Sequence, residues 1–216
     1  MLIVNLVTQA QTVRYEPQVL VDYVSAHGRQ VTDVRAIVLQ GALAQLKEAG
    51  HFDDYMKYFP AEYAECAAQS LASTWIPVAA VVAHYETLTR MGLSDTQIGG
   101  IGERLGASLF DQLFATIVRA VRAAGGGSGM WFGFKQADRI WARMYKGGAC
   151  RIEQVGPKDA IYTLAGLPAV SSRPSRITQC AFMRGVMSHS TKACVVKVVS
   201  SAKEASDSLT LAISWV

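Results

Sequence analysis

The residues of this chain best suited to chemistry are its four histidines and four cysteines. The histidines are His27, His51, His84 and His189. No two of them stand four apart and no His-Glu-x-x-His occurs, so a metal site would have to be assembled from distant elements. His84 stands apart because it sits beside Tyr85 in an apolar helical stretch. There it could serve as an axial ligand or a proton carrier, or simply as a satisfied core histidine. The cysteines are Cys66, Cys150, Cys180 and Cys194. They form no Cys-x-x-Cys and no Cys-x-x-Cys-His, which excludes a zinc knuckle, a thioredoxin-like dithiol and c-type haem attachment. In a cytosolic chain such thiols read as reduced and mostly buried.

Other patterns carry less. Gly99-Gly100-Ile101-Gly102-Glu103-Arg104-Leu105-Gly106 has glycines near dinucleotide spacing. It follows a helix cap rather than a strand, so it reads as close helix–helix packing through small residues. Gly125 to Gly129 lacks the Lys-Ser/Thr of a phosphate loop. No Gly-x-Ser-x-Gly occurs, and Ser188-His189-Ser190 is adjacency rather than a triad. Glu62 and Glu65 share a helix face that usually meets solvent. Nothing here assembles a catalytic set, and the expectation is a protein that is not an enzyme.

These residues need elements to hold them. A short helix is expected over 17–27, a clearer one over 33–49 with Gly50 as its stop, and another over 61–72. A helix starts near Thr74 with Pro77 in its first turn and ends at Gly92. Ser94 and Gln97 form a capping box that opens a long helix. Its apolar stripe runs Ile98, Ile101, Leu105, Leu109, Leu113, Ile117 and Val121. The glycine-rich stretch 125–129 breaks the chain, and an aromatic helix follows over 130–145. Strands are expected over 149–155 and 160–165, a helix over 175–191, and strands over 194–200 and 209–215. The segregated strands predict an α+β fold: an N-terminal helical layer packed on a small antiparallel sheet, closing in β-β-α-β-β order. Residues 1–30 read as an N-terminal extension and 31–216 as a single domain.

Trp131, Phe134, Trp141 and Tyr145 fall on one face of the aromatic helix. They could wall a pocket for a greasy ligand, or fill a core. Composition favours an outlet of this kind. Half the residues are hydrophobic, 18% are charged, and net charge is +4. Mean hydropathy is +0.19. A chain with so few polar residues is expected to bury apolar surface in a pocket, a homodimer or a partner interface. The Lys and Arg residues are dispersed, so no nucleic-acid stripe is expected. The apolar runs are too short or too interrupted to span a membrane, and a cytoplasmic location is expected.

Several motifs together carry a resemblance: Gln40-Gly41-Ala42-Leu43, Leu46, Ala49-Gly50, Tyr58-Phe59-Pro60, Trp75-Ile76-Pro77, Ile101 to Gly106, and the closing Leu211-Ala212-Ile213-Ser214-Trp215. Over roughly residues 35–216 the chain resembles a myxobacterial protein family. That family is similar to TRAPP-like and vinyl-reductase-type hydrocarbon-binding domains and to haem NO/oxygen-binding (H-NOX) domains. The resemblance implies a cavity between helices and sheet, and a small-molecule sensing or docking module, often dimeric. It allows haem, but the chain lacks the Tyr-x-Ser-x-Arg set that holds haem propionates in the H-NOX branch. It also allows an acyl or thiol site, for which Cys66 and Cys150 are the candidates.

The resulting expectation is a non-enzymatic binding or sensing module. Its apolar pocket for a hydrophobic small molecule, placed between the helices and the C-terminal sheet, would be lined by His84, Tyr85, Trp131, Phe134 and Trp141. The rival expectation is a scaffold acting through homodimerisation or partner docking.

Overall fold

A computed structural model describes residues 15–22, 30–113, 130–199 and 207–216. The stripe positions Ile117 and Val121, the stretch 125–129 and His27 lie outside the described residues. The C-terminal sheet is the frame. Strands β1 (Gln18–Val21), β5 (Ala149–Gly156), β6 (Asp159–Ala165), β7 (Cys194–Val198) and β8 (Leu209–Trp215) form it in the order β1-β5-β6-β8-β7. Every neighbouring pair is antiparallel. Alternation fixes the inner face. Leu209, Leu211 and Ile213 are buried, while Thr210 turns outward and its Oγ1 meets that of Thr163 at 3.3 Å.

A second, three-stranded sheet has the order β3-β2-β4, from β2 (Asp33–Arg35), β3 (Trp75–Pro77) and β4 (Tyr145–Lys146). It ties the helical half to the aromatic segment. The Arg35 guanidinium lies 3.9 Å over the Trp75 ring, a cation–π contact that helps lock the two strands.

The helices are α1 (Ala36–Glu48), α2 (Phe52–Met56), α3 (Ala61–Gln69), α4 (Val78–Met91), α5 (Asp95–Leu113), α6 (Met130–Phe134), α7 (Ala137–Met144) and α8 (Arg173–Met187). The Ser94–Gln97 capping box forms at the start of α5, with Ser94 N–H donating to Gln97 Oε1 and Gln97 N–H to Ser94 Oγ. Gly92 closes α4 with φ at 64°, a left-handed conformation that favours glycine.

The expected α+β fold and its β-β-α-β-β close are present. Several boundaries differ, each for a physical reason. Residues 18–21 form an edge strand on β5, not the start of a helix, because Gln-Val-Leu-Val finds a sheet edge to pair with. Asp33–Arg35 is withdrawn from the expected helix by pairing with β3 and β4. Pro77 ends a strand before α4, a position where its missing N–H costs little. The aromatic helix is two helices, α6 and α7. Helix α8 starts earlier than 175, because Ser172 caps it with Ser175 N–H donating to Ser172 Oγ.

Helices α5 and α8 meet at backbone distance. A Cβ at Gly102 would stand 2.9 Å from the Thr178 carbonyl oxygen. One at Gly106 would run into the Phe182 backbone, and one at Gly185 into that of Glu103. The glycine series is thus the close-packing device its spacing suggested. No helix among the described residues is long and apolar enough to cross a membrane.

Candidate ligand site

Helices α1, α4, α5 and α8 enclose two adjoining cavities of about 30 and 20 Å³. Each has room for about one or two water molecules. They share Val38 from α1, Val81 and Tyr85 from α4, Leu105 from α5 and Thr178 from α8. His84 lines the smaller cavity, and Gln179 lines the larger. The walls are otherwise aliphatic or aromatic, and no Asp, Glu, Lys or Arg lines either cavity.

His84 and Tyr85, expected in the pocket, are brought together there. The His84 Nδ1 and the Tyr55 hydroxyl share a hydrogen bond of 2.9 Å, and Tyr55 has no exposed surface. Burial lowers the His84 pKa to about 4, so the imidazole is neutral at physiological pH. Burial raises the Tyr85 hydroxyl to about 12, opposed by hydrogen bonding with the side chains of Ser175, Thr178 and Gln179. Those groups are near enough to affect the Tyr85 proton. Ser175 Oγ and Thr178 Oγ1 are both buried, and beyond this approach of Tyr85 neither closes a well-formed hydrogen bond in the protein.

Trp131, Phe134 and Trp141 stand elsewhere. Trp131 and Phe134 pack against Trp215 of β8, with ring centroids 4.8 and 5.8 Å away. Trp131 Nε1 donates to the Pro157 carbonyl at 3.0 Å. Trp141 is buried, packs at a tilt against Tyr145 with ring centroids 4.4 Å apart, and donates its Nε1–H to the Gly147 carbonyl. None of the three lines the cavities described above.

Cys66 is half-buried on α3. Cys150 is buried on β5, and its thiol is pushed up to about 12, first by burial and then by Asp138. It therefore stays protonated and unreactive near neutral pH. A thiol-specific disulfide reagent at pH 8 is expected to label native Cys66 at least tenfold faster than Cys150, as read by peptide mass mapping. Equal rates would show that Cys150 is not shielded.

Sequence reasoning missed Tyr55, Ser175, Thr178 and Gln179. Tyr55 lay in the aromatic segment between two helices, where a signal was present. The α8 residues carried a subtler one: Ser175, Thr178 and Ala181 recur at helical spacing and are buried with Met183 and Met187. Among the described residues, no group of three or more His, Cys, Asp or Glu could hold a metal ion.

No family model matches the chain. No curated protein matches it in sequence. Solved structures do resemble it in fold. A structure from work on heme distortion in the H-NOX family superposes with a TM-score of 0.58 at 8% identity, covering 84% of this chain and 94% of that one. An oxygen-binding H-NOX domain related to soluble guanylate cyclases, in its oxygen complex, gives 0.56 at 9% identity, with 84% and 94% covered. The Fe(II) unliganded H-NOX protein from K. algicida gives 0.53 at 9% identity, with 84% and 96% covered.

Heme is named for H-NOX structures of this fold, and the cavities among the described residues do not fit it. Cofactor sites are typically clefts of about 300–1,000 Å³. The two cavities here are an order of magnitude smaller, and backbone contact at Gly102, Gly106 and Gly185 closes the α5–α8 side. The fold is similar to that of H-NOX domains, and the cavities between α1, α4, α5 and α8 among the described residues are small.

Proposed function

We propose that this protein is a non-enzymatic small-molecule binding and sensing module, with its ligand seated between α1, α4, α5 and α8. The observation that carries the reading is the buried seam where these four helices leave adjoining cavities walled by Val38, Val81, Leu105 and Leu109. The H-NOX likeness supports it as a fold used elsewhere for ligand sensing.

The small cavity size bears on mechanism. A ligand larger than a water or two must displace wall side chains such as Met144 and Phe182. Binding then favours an opened arrangement over the closed one, and that differential affinity is what turns occupancy into a conformational signal. The price of opening lowers apparent affinity by the fraction of protein already open. Convergent catalytic groups are not part of this reading, because the walls hold no charged side chain.

Thermal melting against a series of small hydrocarbons and their neutral derivatives tests it. At least one member is expected to raise Tm in a saturable way, as native-state binding requires. A flat response across the whole series would overturn the reading. Added hemin is expected to give no saturable one-to-one Soret band. A stoichiometric band would contradict the lack of fit for haem.

A further inference from the structure

We infer that the seam between α4 and α8 selects a neutral ligand that carries one hydrogen-bonding head on an apolar body. This inference rests on the proposed binding function and names the class of molecule bound. Its ground is the polar end of the cavities. Thr178 lines both of them and is 4% exposed, and its Oγ1 closes no well-formed hydrogen bond in the protein. Ser175, one turn earlier on the same helix, is fully buried and likewise closes no well-formed hydrogen bond, although it lines neither cavity.

Buried polar atoms are nearly always satisfied, and each one left unmade is costly. The Thr178 hydroxyl on the wall of both cavities therefore points to a molecule that supplies its partner. Tyr85 and Gln179 line the same space, so the head meets hydroxyl and amide groups that can donate or accept. An ordered water can occupy this position in the free protein, to be displaced by a ligand group that reproduces its hydrogen bonds.

Neutrality follows from the rest of the wall. No acidic or basic side chain lines either cavity, and burial holds both His84 and Tyr85 in their uncharged forms. A carboxylate or ammonium head would enter without a counter-charge, which costs far more than a hydroxyl or carbonyl that finds partners. Apolar contact with Val81, Leu105 and Phe182 then suits a short hydrocarbon body.

The probes are 1-butanol, butyrate, butylammonium and xenon, each titrated into the full chain and followed by amide NMR. Butanol is expected to shift α4 and α8 resonances saturably. Butyrate and butylammonium are expected to bind at least tenfold more weakly. Thr178→Val removes a hydroxyl that closes no well-formed hydrogen bond within the protein, so Tm is expected to hold or rise. The same change is expected to weaken butanol about five- to tenfold, with xenon binding unchanged. Xenon binding without a preference for butanol would overturn this inference and leave the binding function standing. Charged probes that bind as well as butanol would overturn it too. Absence of both xenon and butanol binding would overturn the inference together with the function it rests on.

Discussion

Replacing Gly106 with alanine is expected to lower the unfolding free energy by roughly 2–3 kcal/mol, near the upper end of the usual overpacking range. The new Cβ would run into the carbonyl of Phe182, with the Phe182 carbonyl carbon at 2.9 Å and its Cα at 3.0 Å. These are backbone atoms of α8, which cannot swing aside as a side-chain tip can. The intrinsic helix preference of alanine over glycine, about 1 kcal/mol, works the other way and is outweighed. Gly100 on the same helix supplies the control. A Cβ there meets only the Arg104 Nη1 tip, at 3.4 Å. Gly100→Ala is therefore expected to stabilise by up to about 1 kcal/mol. Urea unfolding with unchanged slope reads both. Equal and favourable effects at the two sites would mean that α5 and α8 stand apart.

Acidification is expected to destabilise the fold through His84, beginning below about pH 6.5. The folded-state pKa is about 4, below the usual histidine value of 6.5, because burial disfavours the charged ring. The unfolded chain therefore binds a proton that the folded chain refuses between those two values. The stability contributed by the neutral ring is fully present above pH 6.5 and is lost as pH falls towards 4. At about 1.4 kcal/mol per pH unit the loss reaches roughly 3 kcal/mol. His84→Phe removes this titration and also the Tyr55 bond of 2.9 Å. It is expected to be less stable at pH 7 but to show a flatter stability profile from pH 6.5 to 4.5. An unchanged profile in the variant would place the acid sensitivity elsewhere.

Much of the fold was legible because its signals are local. The Ser94–Gln97 box, the Gly92 stop and the alternation of Leu209–Trp215 each act within a few residues, and each is present as expected. Edges decided by distant partners were not legible. Nothing local in Gln18–Val21 says that β5 lies alongside it. Nothing in Asp33–Arg35 says that two strands flank it. The candidate site was half legible. His84 and Tyr85 stood out as polar groups in an apolar helix. Thr178 and Ser175 did not, because the inner face of α8 is chosen by the glycines of α5. Ile177 and Cys180, apolar and conspicuous in the sequence, are only half-buried, while the small and polar positions turn inward. The aromatic cluster of Trp131 and Phe134 packs on Trp215 for a related reason: the sheet needed covering, and large rings cover it.

The most direct measurement is a crystal structure of the protein under xenon pressure, with the ordered water refined in the same map. Xenon is expected between α4, α5 and α8, in contact with Val81 and Leu105, with a water or ligand atom on Thr178 Oγ1. Xenon found only beside Trp131 and Trp215, or a seam without xenon and without density on Thr178, would contradict a ligand site at this place in the fold.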